Sequence, residues 1–333
     1  MARLIFAAND PGAARVLEAS IGMARSRGHD LTFVGAGPAI EIWRRAGEEV
    51  ATEMPDDGGD VLLTGTGFSP FESGCWAWAA AVGVPSLAVV EAWTNFERRF
   101  VDPACKAMGA EAAQPDAIAV IDEASRLTIE AEGWGRARLF VVGQPHLQAQ
   151  TARLTEARRR TKRTPHHPTL VFFSEPIDSD FGREVRGFDQ FEVFEYVADA
   201  VSRLADVRLL VKPHPRESVE CWRQLAELAG DQETDDLLVS ADGVIGITTM
   251  VLVEAHLLGV PVLSVQPNRR GVANLVVERL GAVVIEPAAV VSRLAEFVDN
   301  LDRVAAIDEA FVGCLEDADR RLIDAVEKML ICH

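Results

Sequence analysis

The stretch Arg208-Leu-Leu-Val-Lys-Pro-His-Pro-Arg216 decides the fold, together with Ala241-Asp-Gly-Val-Ile-Gly-Ile-Thr-Thr249 further along the chain. Each is an apolar run of strand length that ends in polar residues. In an open α/β sheet, ligands bind at the carboxyl ends of the strands. Lys212 and His214 bring cationic or donor groups to one strand end, and two threonines bring hydroxyls and the first N–H groups of a helix to the other. This combination favours a ligand that carries phosphate.

Length and composition indicate a globular protein with two domains. The chain has 333 residues, of which 48% are hydrophobic and 25% are charged, as in ordinary soluble proteins. A chain of this length usually divides its core between two domains. The longest apolar runs, such as residues 82–90, are too short to span a bilayer. The opening residues, Met1-Ala-Arg-Leu-Ile-Phe6, predict a strand and lack the features of a secretory signal, so we expect a cytoplasmic protein.

Charge and cysteine content argue against several other classes of protein. The net charge of −18 disfavours a general nucleic-acid binder, which needs a basic face. A small phosphorylated ligand is still compatible, because a local basic pocket can exist in an acidic protein. The five cysteines are scattered and form no Cys-x-x-Cys pair, so we predict neither a zinc site nor a disulfide framework. We expect no metal or other cofactor, and the sequence leaves the oligomeric state open.

Short apolar strands alternate with helical segments in both halves, which predicts parallel sheets covered on both faces. The predicted strands are residues 4–8, 30–34, 61–64, 86–90, 117–120, 140–142, 169–173, 208–211, 244–247, 262–265 and 283–285. The predicted helices include residues 13–26, 71–82, 123–134, 145–163, 190–205 and 218–229, and the chain after Pro287 is predicted to be mostly helical. The fold class is therefore α/β, with two Rossmann-like, doubly wound domains at residues 1–160 and 161–333, a cleft between them, and the last helix free to pack back on the first domain. The basic run Arg158–Arg163 and the prolines after it predict an exposed linker, with a basic patch for an anionic partner as the alternative.

Three strand ends in the first half carry candidate site residues. After the first strand, Asp10 is either a helix cap or a carboxylate presented to the cleft, and Gly12 allows a ligand to approach the backbone. After the third predicted strand, Thr66 and nearby glycines suit a sugar or phosphate, or else an ordinary glycine turn with Ser69 as the helix cap. Glu72 then falls in the first helical turn, where the helix dipole favours a carboxylate.

Glu91 is the leading candidate for a general base in the first half. It directly follows the predicted strand 86–90, and a carboxylate in that place is unusual unless it is paired or functional. A structural ion pair with Arg98 or Arg99 is the alternative. Trp93, close by, is a candidate for stacking on a sugar ring or base.

The second half carries the predicted phosphate site. Prolines on both sides of His214 hold its backbone rigidly, and its imidazole is expected to donate a hydrogen bond to a phosphate oxygen and so stabilise charge on a departing nucleotide. Thr248 is expected either to cap a helix or to bind phosphate with that helix start. Glu254, further along the same helix, is expected to accept the hydroxyls of a ribose. The predicted nucleotide-binding set is Ser174, Lys212, His214, Thr248, Thr249 and Glu254.

Two motifs resemble those of the GT-B superfamily of sugar-nucleotide enzymes. Lys212-Pro-His-Pro215 and the pair Thr248-Thr249 resemble the His-Pro and Ser/Thr-Ser motifs of bacterial polysialyltransferases, capsule transferases and CDP-glycerol glycerophosphotransferases, where they hold the donor's phosphate. Glu254, in the pattern Glu-Ala-x-x-x-Gly-x-Pro that ends at Pro261, is similar to the carboxylate that GT-B enzymes use on the ribose. This resemblance covers most of residues 169–286.

The first half resembles a different branch, the non-hydrolysing UDP-N-acetylglucosamine 2-epimerases. The segment Pro85-Ser-Leu-Ala-Val-Val-Glu-Ala92 is similar to their strand ending in Val-Glu-Ala-Gly, and Val142-Gly-Gln-Pro145 is similar to their Gly-Asn-x-x-Asp junction. The chain departs from this branch at Phe172–Pro176, where their His-Arg-x-Glu-Asn motif and its catalytic His are missing. It also has Thr66 where they carry Asp. Of the residues that act as acid or base in these epimerases, the resemblance gives a counterpart in this chain only at Glu91.

These resemblances imply a GT-B transferase that moves a sugar or polyol phosphate from a nucleotide donor to a surface glycan or related acceptor in polysaccharide biosynthesis. Glu91 or Asp10 would deprotonate the acceptor hydroxyl, while Gly12, Thr66, Glu72 and Trp93 would line the acceptor side. The alternatives are a nucleotide-sugar epimerase or hydrolase, and a non-catalytic nucleotide-sugar-binding protein. Specificity is expected to depend on the loops at Asn95–Cys105 and Asp178–Phe188.

Overall fold

The computed structural model describes residues 1–67, 69–94, 96–100, 113–133, 137–161, 167–271, 273–303 and 309–331. Within these ranges, no helix is both long and apolar enough to cross a membrane. The chain divides into two compact units, Met1–Gln150 with Gly313–His333, and Thr151–Val312. The division falls before the predicted boundary at residue 160, because Leu154 packs into a core of the second unit. The last helix belongs to the first unit, where Leu322 and Val326 are buried.

The first unit is built on seven parallel strands in the order β3-β2-β1-β4-β5-β6-β7. Alternate residues of the first strand, Arg3–Ala8, enter different cores: Leu4 and Phe6 lie in one cluster, and Ile5 and Ala7 lie in the other. Both faces of the sheet are therefore covered, as in a doubly wound fold. The strands are β1 (Arg3–Ala8), β2 (Asp30–Gly35), β3 (Val50–Ala51), β4 (Val61–Thr64), β5 (Ser86–Val89), β6 (Ala117–Val120) and β7 (Arg138–Val141). The helices up to the second unit are α1 (Pro11–Glu18), α2 (Ile21–Ser26), α3 (Gly37–Arg45), α4 (Pro70–Val82), α5 (Phe96–Phe100), α6 (Glu123–Ala131) and α7 (Pro145–Arg160).

The second unit has a smaller parallel sheet in the order β12-β11-β10-β8-β9. The first strand of this sheet, Thr169–Phe173, again divides its side chains between two cores, with Leu170 and Phe172 in one cluster and Val171 and Phe173 in the other. The strands are β8 (Thr169–Phe173), β9 (Arg208–Lys212), β10 (Gly243–Gly246), β11 (Val262–Val265) and β12 (Val283–Val284). The remaining helices are α8 (Ile177–Asp180), α9 (Arg183–Arg186), α10 (Gln190–Ser202), α11 (Val219–Arg223), α12 (Thr234–Ser240), α13 (Met250–Leu257), α14 (Leu275–Arg279), α15 (Val290–Asp299), α16 (Glu309–Gly313) and α17 (Ala318–Ile331), with a 3₁₀ turn at Pro287–Ala289.

Each sheet has a topological switch point beside its first strand. In the first unit the chain leaves β1 for β2 on one side and later returns as β4 on the other. In the second unit β8 is flanked by β9 and β10 in the same way. Ligands of open α/β sheets bind beyond the carboxyl ends of the strands at such points. The residues that follow β1 and β4, and those that follow β8 and β10, are therefore the candidates for contact with a ligand.

Two predicted helices are shorter or broken in the structure. The segment predicted as one helix over 13–26 forms α1 and α2, and the buried Ser20 at the break donates its hydroxyl to the Val16 carbonyl, a contact that bends helices. The segment predicted as a helix over 218–229 is helical only over α11. Its later part pairs with the edge of β9, because Val211 donates to the Glu227 carbonyl and accepts from the Ala229 amide.

The prediction of an exposed linker at the basic run is wrong for Arg158. This residue lies in α7, and its Nη1 donates to the carbonyl oxygens of Leu238, Val239 and Ala241 at 2.8–3.2 Å. A cation at the last carbonyls of α12 stabilises the end of that helix. Residues 162–166 of the predicted linker lie outside the described part of the chain, as do Asn95 and residues 101–105 of one predicted specificity loop.

Candidate functional site

A carboxylate lies at the switch point of the second unit. Glu175 follows β8, and Thr248 follows β10. The Thr248 amide donates to Glu175 Oε2 at 2.5 Å, and the Thr248 hydroxyl donates to Glu175 Oε1 at 2.9 Å. Thr248, shortly before α13, therefore binds the carboxyl group of one of the protein's own side chains, and the predicted contact of this helix start with a ligand phosphate stays a prediction.

Burial raises the pKa of Glu175 to about 7, even though hydrogen bonds from Thr248 and Thr249 and the positive charge of Arg186 act in the opposite direction. Desolvation disfavours the charged form of a carboxyl group. The Arg186 guanidinium lies 4.0 Å from the centre of the Phe181 ring, and its Nε is buried without a hydrogen-bond partner in the described structure. Glu175 is therefore present in both its neutral and its charged form near neutral pH.

The interpretation of Thr248 as the helix cap is wrong, because Thr249 caps α13. The Thr249 hydroxyl accepts a hydrogen bond from the Val251 amide at 3.2 Å. Thr248 precedes the cap, and its hydroxyl turns to Glu175 instead. Both threonines therefore organise the helix start, one by capping it and the other by holding an anion next to it.

His214 is held as a hydrogen-bond donor. Its Nδ1 accepts the Arg216 amide at 3.1 Å, so this nitrogen carries no proton and the neutral ring carries its proton on Nε2. Burial lowers the pKa of His214, and the charge of Arg216 lowers it further, so the neutral form predominates at neutral pH. The ring is partly buried. An Nε2–H donor beyond β9 agrees with the predicted role of this residue, which stays a prediction.

The structure gives Lys212 and Ser174 other partners than phosphate. Lys212 Nζ donates to the carbonyl oxygen of Gln232 at 2.6 Å. The Ser174 side chain is buried, and its hydroxyl donates to Glu217 at 3.0 Å. The predicted contacts of Lys212 and Ser174 with a phosphate stay predictions. Glu254 lies in the second turn of α13 and is partly buried, and its predicted contact with a ribose stays a prediction.

An Asp-x-Asp sequence, Asp178-Ser179-Asp180, lies in this unit just after β8. The Asp180 carboxylate accepts two hydrogen bonds of 2.6 Å from Arg216, which holds it in an ion pair. Among the described residues, no group of three His, Cys, Asp or Glu side chains is placed to hold a metal ion. The expectation that no metal is needed stays a prediction.

In the first unit, Glu91 forms a compact cluster with Arg99 and Thr66 beyond β4 and β5. Arg99 Nη1 donates to Glu91 Oε1 and, at 3.1 Å, to the Thr66 hydroxyl. That hydroxyl donates to Glu91 Oε2 at 2.9 Å. The side chains are 3% exposed for Arg99 and 17% for Glu91. The structural ion pair that the sequence offered as an alternative is therefore present, with Arg99; the side chain of Arg98 lies outside the described structure.

A second carboxylate group lies beyond β1 and β4. Glu72 is buried and accepts the Asn9 amide at 3.1 Å and the Ser69 hydroxyl at 3.0 Å. Burial raises the pKa of Glu72, and the charge of Asp10 raises it further. Asp10 stands at the N-cap position of α1 without making a side-chain cap hydrogen bond, so the prediction that it caps this helix is wrong. Its Oδ1 accepts instead from the Asn9 side chain at 3.0 Å.

Close backbone approach explains the glycines at this edge. A Cβ at Gly67 would lie 2.3 Å from Asp10 Oδ2 and 3.0 Å from Glu72 Oε1, and one at Gly12 would lie 3.1 Å from Glu91 Cγ. The glycines let the carboxylates come together. They therefore serve the arrangement of the site, while the predicted contact of Gly12 with a ligand stays a prediction.

Trp93 and Ser69 have structural partners. The Trp93 indole is 8% exposed and donates Nε1–H to Asp122 at 2.8 Å, which leaves little ring surface for stacking on a sugar. Ser69 caps α4 by accepting from the Phe71 amide at 3.3 Å, as the sequence predicted.

Sequence reasoning missed Glu175 and Glu217. Glu175 comes shortly after a buried strand, as Glu91 does, so the same signal was present in the sequence. Glu217 lies in the turn after Pro215 and accepts from Ser174 and from the His214 amide. No sequence pattern pointed to it, because its importance comes from a contact between two strand ends that lie far apart along the chain.

Comparison with solved structures identifies the fold. The UDP-GlcNAc 2-epimerase from Methanocaldococcus jannaschii is similar with a TM-score of 0.68 at 12% identity, over 98% of this chain and 99% of that one. The UDP-GlcNAc 2-epimerase from Neisseria meningitidis, bound to UDP-GlcNAc, gives a TM-score of 0.67 at 12% identity over 98% and 100%. The calicheamicin glycosyltransferase CalG4 gives 0.59 at 15% identity over 99% and 98%. No protein-family model matches the chain, and no curated protein matches it in sequence.

These likenesses confirm the predicted fold class. Epimerases and glycosyltransferases of the GT-B superfamily align with nearly the whole chain, and both units have the parallel, doubly wound sheets of Rossmann-like domains. At these low sequence identities the comparison supports the fold alone.

Proposed function

We propose that the protein is an enzyme that uses a nucleotide-activated sugar or polyol, and that its second unit binds the phosphates of this donor. The observation that carries the proposal is the contact of Glu175 with Thr248, because an anionic oxygen already occupies the amide and hydroxyl at the start of α13. A phosphate oxygen accepts hydrogen bonds from the same kind of donors. The GT-B fold supports the proposal, since solved structures with this fold include one bound to UDP-GlcNAc.

The reaction we favour is transfer of a sugar or polyol phosphate to a hydroxyl acceptor. The acceptor oxygen forms the new bond, the bond to the nucleotide phosphate breaks, and the acceptor proton passes to a protein carboxylate. The departing phosphate gains negative charge. The His214 Nε2–H and the Thr248 amide are suited to stabilise that charge.

Asp10 is a better candidate than Glu91 for the carboxylate that takes the proton. The ion pair with Arg99 and the hydrogen bond from Thr66 engage both oxygens of Glu91. Asp10 lies at the switch point of its sheet, near Glu72, whose pKa is raised by burial and also by the charge of Asp10. Two neighbouring carboxyl groups in different surroundings suit an acid/base site.

A nucleotide-sugar epimerase or hydrolase is the second candidate. The epimerase structures align with this chain at higher TM-scores than the glycosyltransferase does. Incubation with UDP-N-acetylglucosamine in the absence of an acceptor separates the two candidates. Appearance of the 2-epimer or of free sugar and UDP supports the epimerase or hydrolase, whereas transferase activity requires an added acceptor.

The proposal is tested by a thermal-shift screen with CMP, CDP, UDP, GDP and their sugars. We expect at least one nucleotide to raise the melting temperature of the wild-type protein and to do so less in His214→Ala. A hydrogen bond to a charged group is worth about 1.5–3 kcal/mol, so the loss in affinity should be roughly tenfold or more. A shift without turnover on any acceptor would instead support a non-catalytic binding protein.

A further inference from the structure

Hydrogen bonds between its first and last residues close the turn that carries His214, residues 214–217. The Glu217 amide donates to the His214 carbonyl at 2.9 Å, and the His214 amide donates to Glu217 Oε2 at 2.7 Å. Between them, the Arg216 amide donates to His214 Nδ1 at 3.1 Å. The imidazole is thus hydrogen-bonded to the backbone of the same turn that Glu217 closes.

The same carboxylate joins two strand ends. Glu217 Oε1 accepts the Ser174 hydroxyl at 3.0 Å. Ser174 follows β8 and His214 follows β9, and these strands are paired through Phe173 and Lys212. Glu217 therefore sets the position of His214 relative to β8, the strand that also leads to Glu175.

Burial of the Glu217 carboxylate in this turn costs free energy of desolvation. Glu217 is partly buried, and burial raises its pKa, while the hydrogen bonds from His214 and Ser174 lower it. A polar group that is taken out of water loses its hydrogen bonds to water and must replace them with hydrogen bonds inside the protein. A carboxylate accepts several donors at once, which a neutral or shorter side chain does less well.

We propose that Glu217 is a positioning residue that fixes the turn of residues 214–217 so that the Arg216 amide holds His214 as the neutral Nε2–H tautomer, the form that donates to the phosphate of the ligand. The part of this proposal that concerns the phosphate rests on the function proposed above. The part that concerns the tautomer does not, because it describes the protein without ligand.

The tautomer is measured by NMR on protein labelled with ¹⁵N-histidine, in which the His214 signals are identified by their loss in His214→Asn. We expect wild-type His214 to show an unprotonated Nδ1 and a protonated Nε2 at neutral pH. Glu217→Ala should give a mixture of tautomers, and Glu217→Gln should restore the wild-type signal, because its amide oxygen can still accept the His214 amide. Glu220→Ala is the matched control: Glu220 is an exposed neighbour that pairs with Arg223, and its loss should leave the signals unchanged.

A second variant acts on the ring directly. Arg216→Pro removes the amide that donates to Nδ1, whereas Arg216→Ala removes the side chain and keeps the amide. We expect the tautomer to be released in the first variant and retained in the second. This pair tests the contact of the Arg216 amide with the ring even if Glu217→Ala does not fold, and Glu217→Gln then remains the test of Glu217 itself.

Ligand affinity is then measured with the tightest binder among UDP, CDP, GDP and CMP. Glu217→Ala should weaken it roughly tenfold, equivalent to about 1.4 kcal/mol, with recovery in Glu217→Gln. A wild-type His214 protonated on Nδ1, or a Glu217→Ala protein with wild-type tautomer and wild-type affinity, overturns the proposal. If no nucleotide binds the wild type, the proposed function fails, while the NMR result still decides the positioning role.

Discussion

The Glu175 carboxylate binds the amide and the hydroxyl of Thr248, at 2.5 Å and 2.9 Å. This contact lies between the ends of β8 and β10, at the switch point where an open α/β sheet binds its ligand. A carboxylate there occupies the donors that a ligand phosphate would use. An incoming phosphate must therefore displace Glu175 or find it protonated, since two adjacent anions repel one another.

The first prediction is that nucleotide-sugar affinity rises as the pH falls through about 7, the pKa of Glu175. Above that pH the carboxyl group is charged and opposes the phosphate, and below it the group is neutral. The affinity should change by up to about tenfold per pH unit on the alkaline side. Isothermal titration calorimetry with UDP-N-acetylglucosamine measures this well, because its diphosphate does not titrate near neutral pH.

Glu175→Gln is the control for this pH dependence. Its amide oxygen can accept the Thr248 amide and its NH₂ group can donate to the Thr248 hydroxyl, so the contact survives without charge. We expect affinity in this variant to be nearly independent of pH. An equally steep dependence in the variant and the wild type would show that another group is responsible.

The second prediction concerns stability. The pKa of Glu175 is raised from its ordinary value of 4.5 to about 7, so its contribution to stability is full below 4.5 and is lost as the pH rises through 7. Glu175→Gln should therefore gain in free energy of unfolding relative to the wild type over this interval, by at most about 3 kcal/mol. Urea unfolding at several pH values measures the difference, and a constant difference across the interval would argue against titration of Glu175 in this pH range.

The third prediction separates charge from hydrogen bonding at Glu72. Glu72→Gln keeps acceptor and donor groups for Asn9 and Ser69 and removes the repulsion from Asp10, so it should be at least as stable as the wild type at alkaline pH. Glu72→Ala leaves the Asn9 amide without its acceptor and should cost about 1–3 kcal/mol in free energy of unfolding. Thermal unfolding of the pair gives the comparison; a Gln variant as unstable as the Ala variant would contradict this reasoning.

Much of the fold was predictable from the sequence, because buried strands are short apolar runs with little choice of conformation. The strands at Val61–Thr64, Ala117–Val120, Thr169–Phe173 and Val262–Val265 have the bounds that the sequence predicted. The short strand β3 and the helix α3 were missed. The broken helix at Ser20 and the strand-edge pairing after α11 were also missed, since both depend on contacts made only in the folded chain.

The sequence predicted candidate site residues at strand ends, but it did not predict the contacts that these residues make. Polar residues at strand ends identified Glu91, His214 and Thr248. Local sequence does not show which strand-end residues contact one another. Glu175 and Thr248, for example, are in contact although they are separated by 73 positions along the chain. Lys212 is predicted to bind phosphate from its position at the end of an apolar run, and the sequence did not show that its ammonium group also donates to the carbonyl of Gln232.

The fourth prediction compares the two candidate bases. If Asp10 takes the proton of the acceptor, Asp10→Asn should lower kcat by about 10²–10⁴-fold. Glu91→Gln keeps the shape of the cluster with Arg99 and Thr66 and should lower kcat by less than about tenfold. Steady-state kinetics on the donor and acceptor found in the screen measures both, and the reverse order of effects would assign the base to Glu91.

The most direct test of the account is a crystal structure of the protein with the tightest-binding nucleotide, at a pH below the pKa of Glu175. We predict a phosphate oxygen within hydrogen-bond distance of the Thr248 amide and of His214 Nε2, with the Glu175 side chain displaced from its present contact or donating to that phosphate. Nucleotide density away from both Thr248 and His214, with Glu175 still bound to the Thr248 amide, would contradict the account.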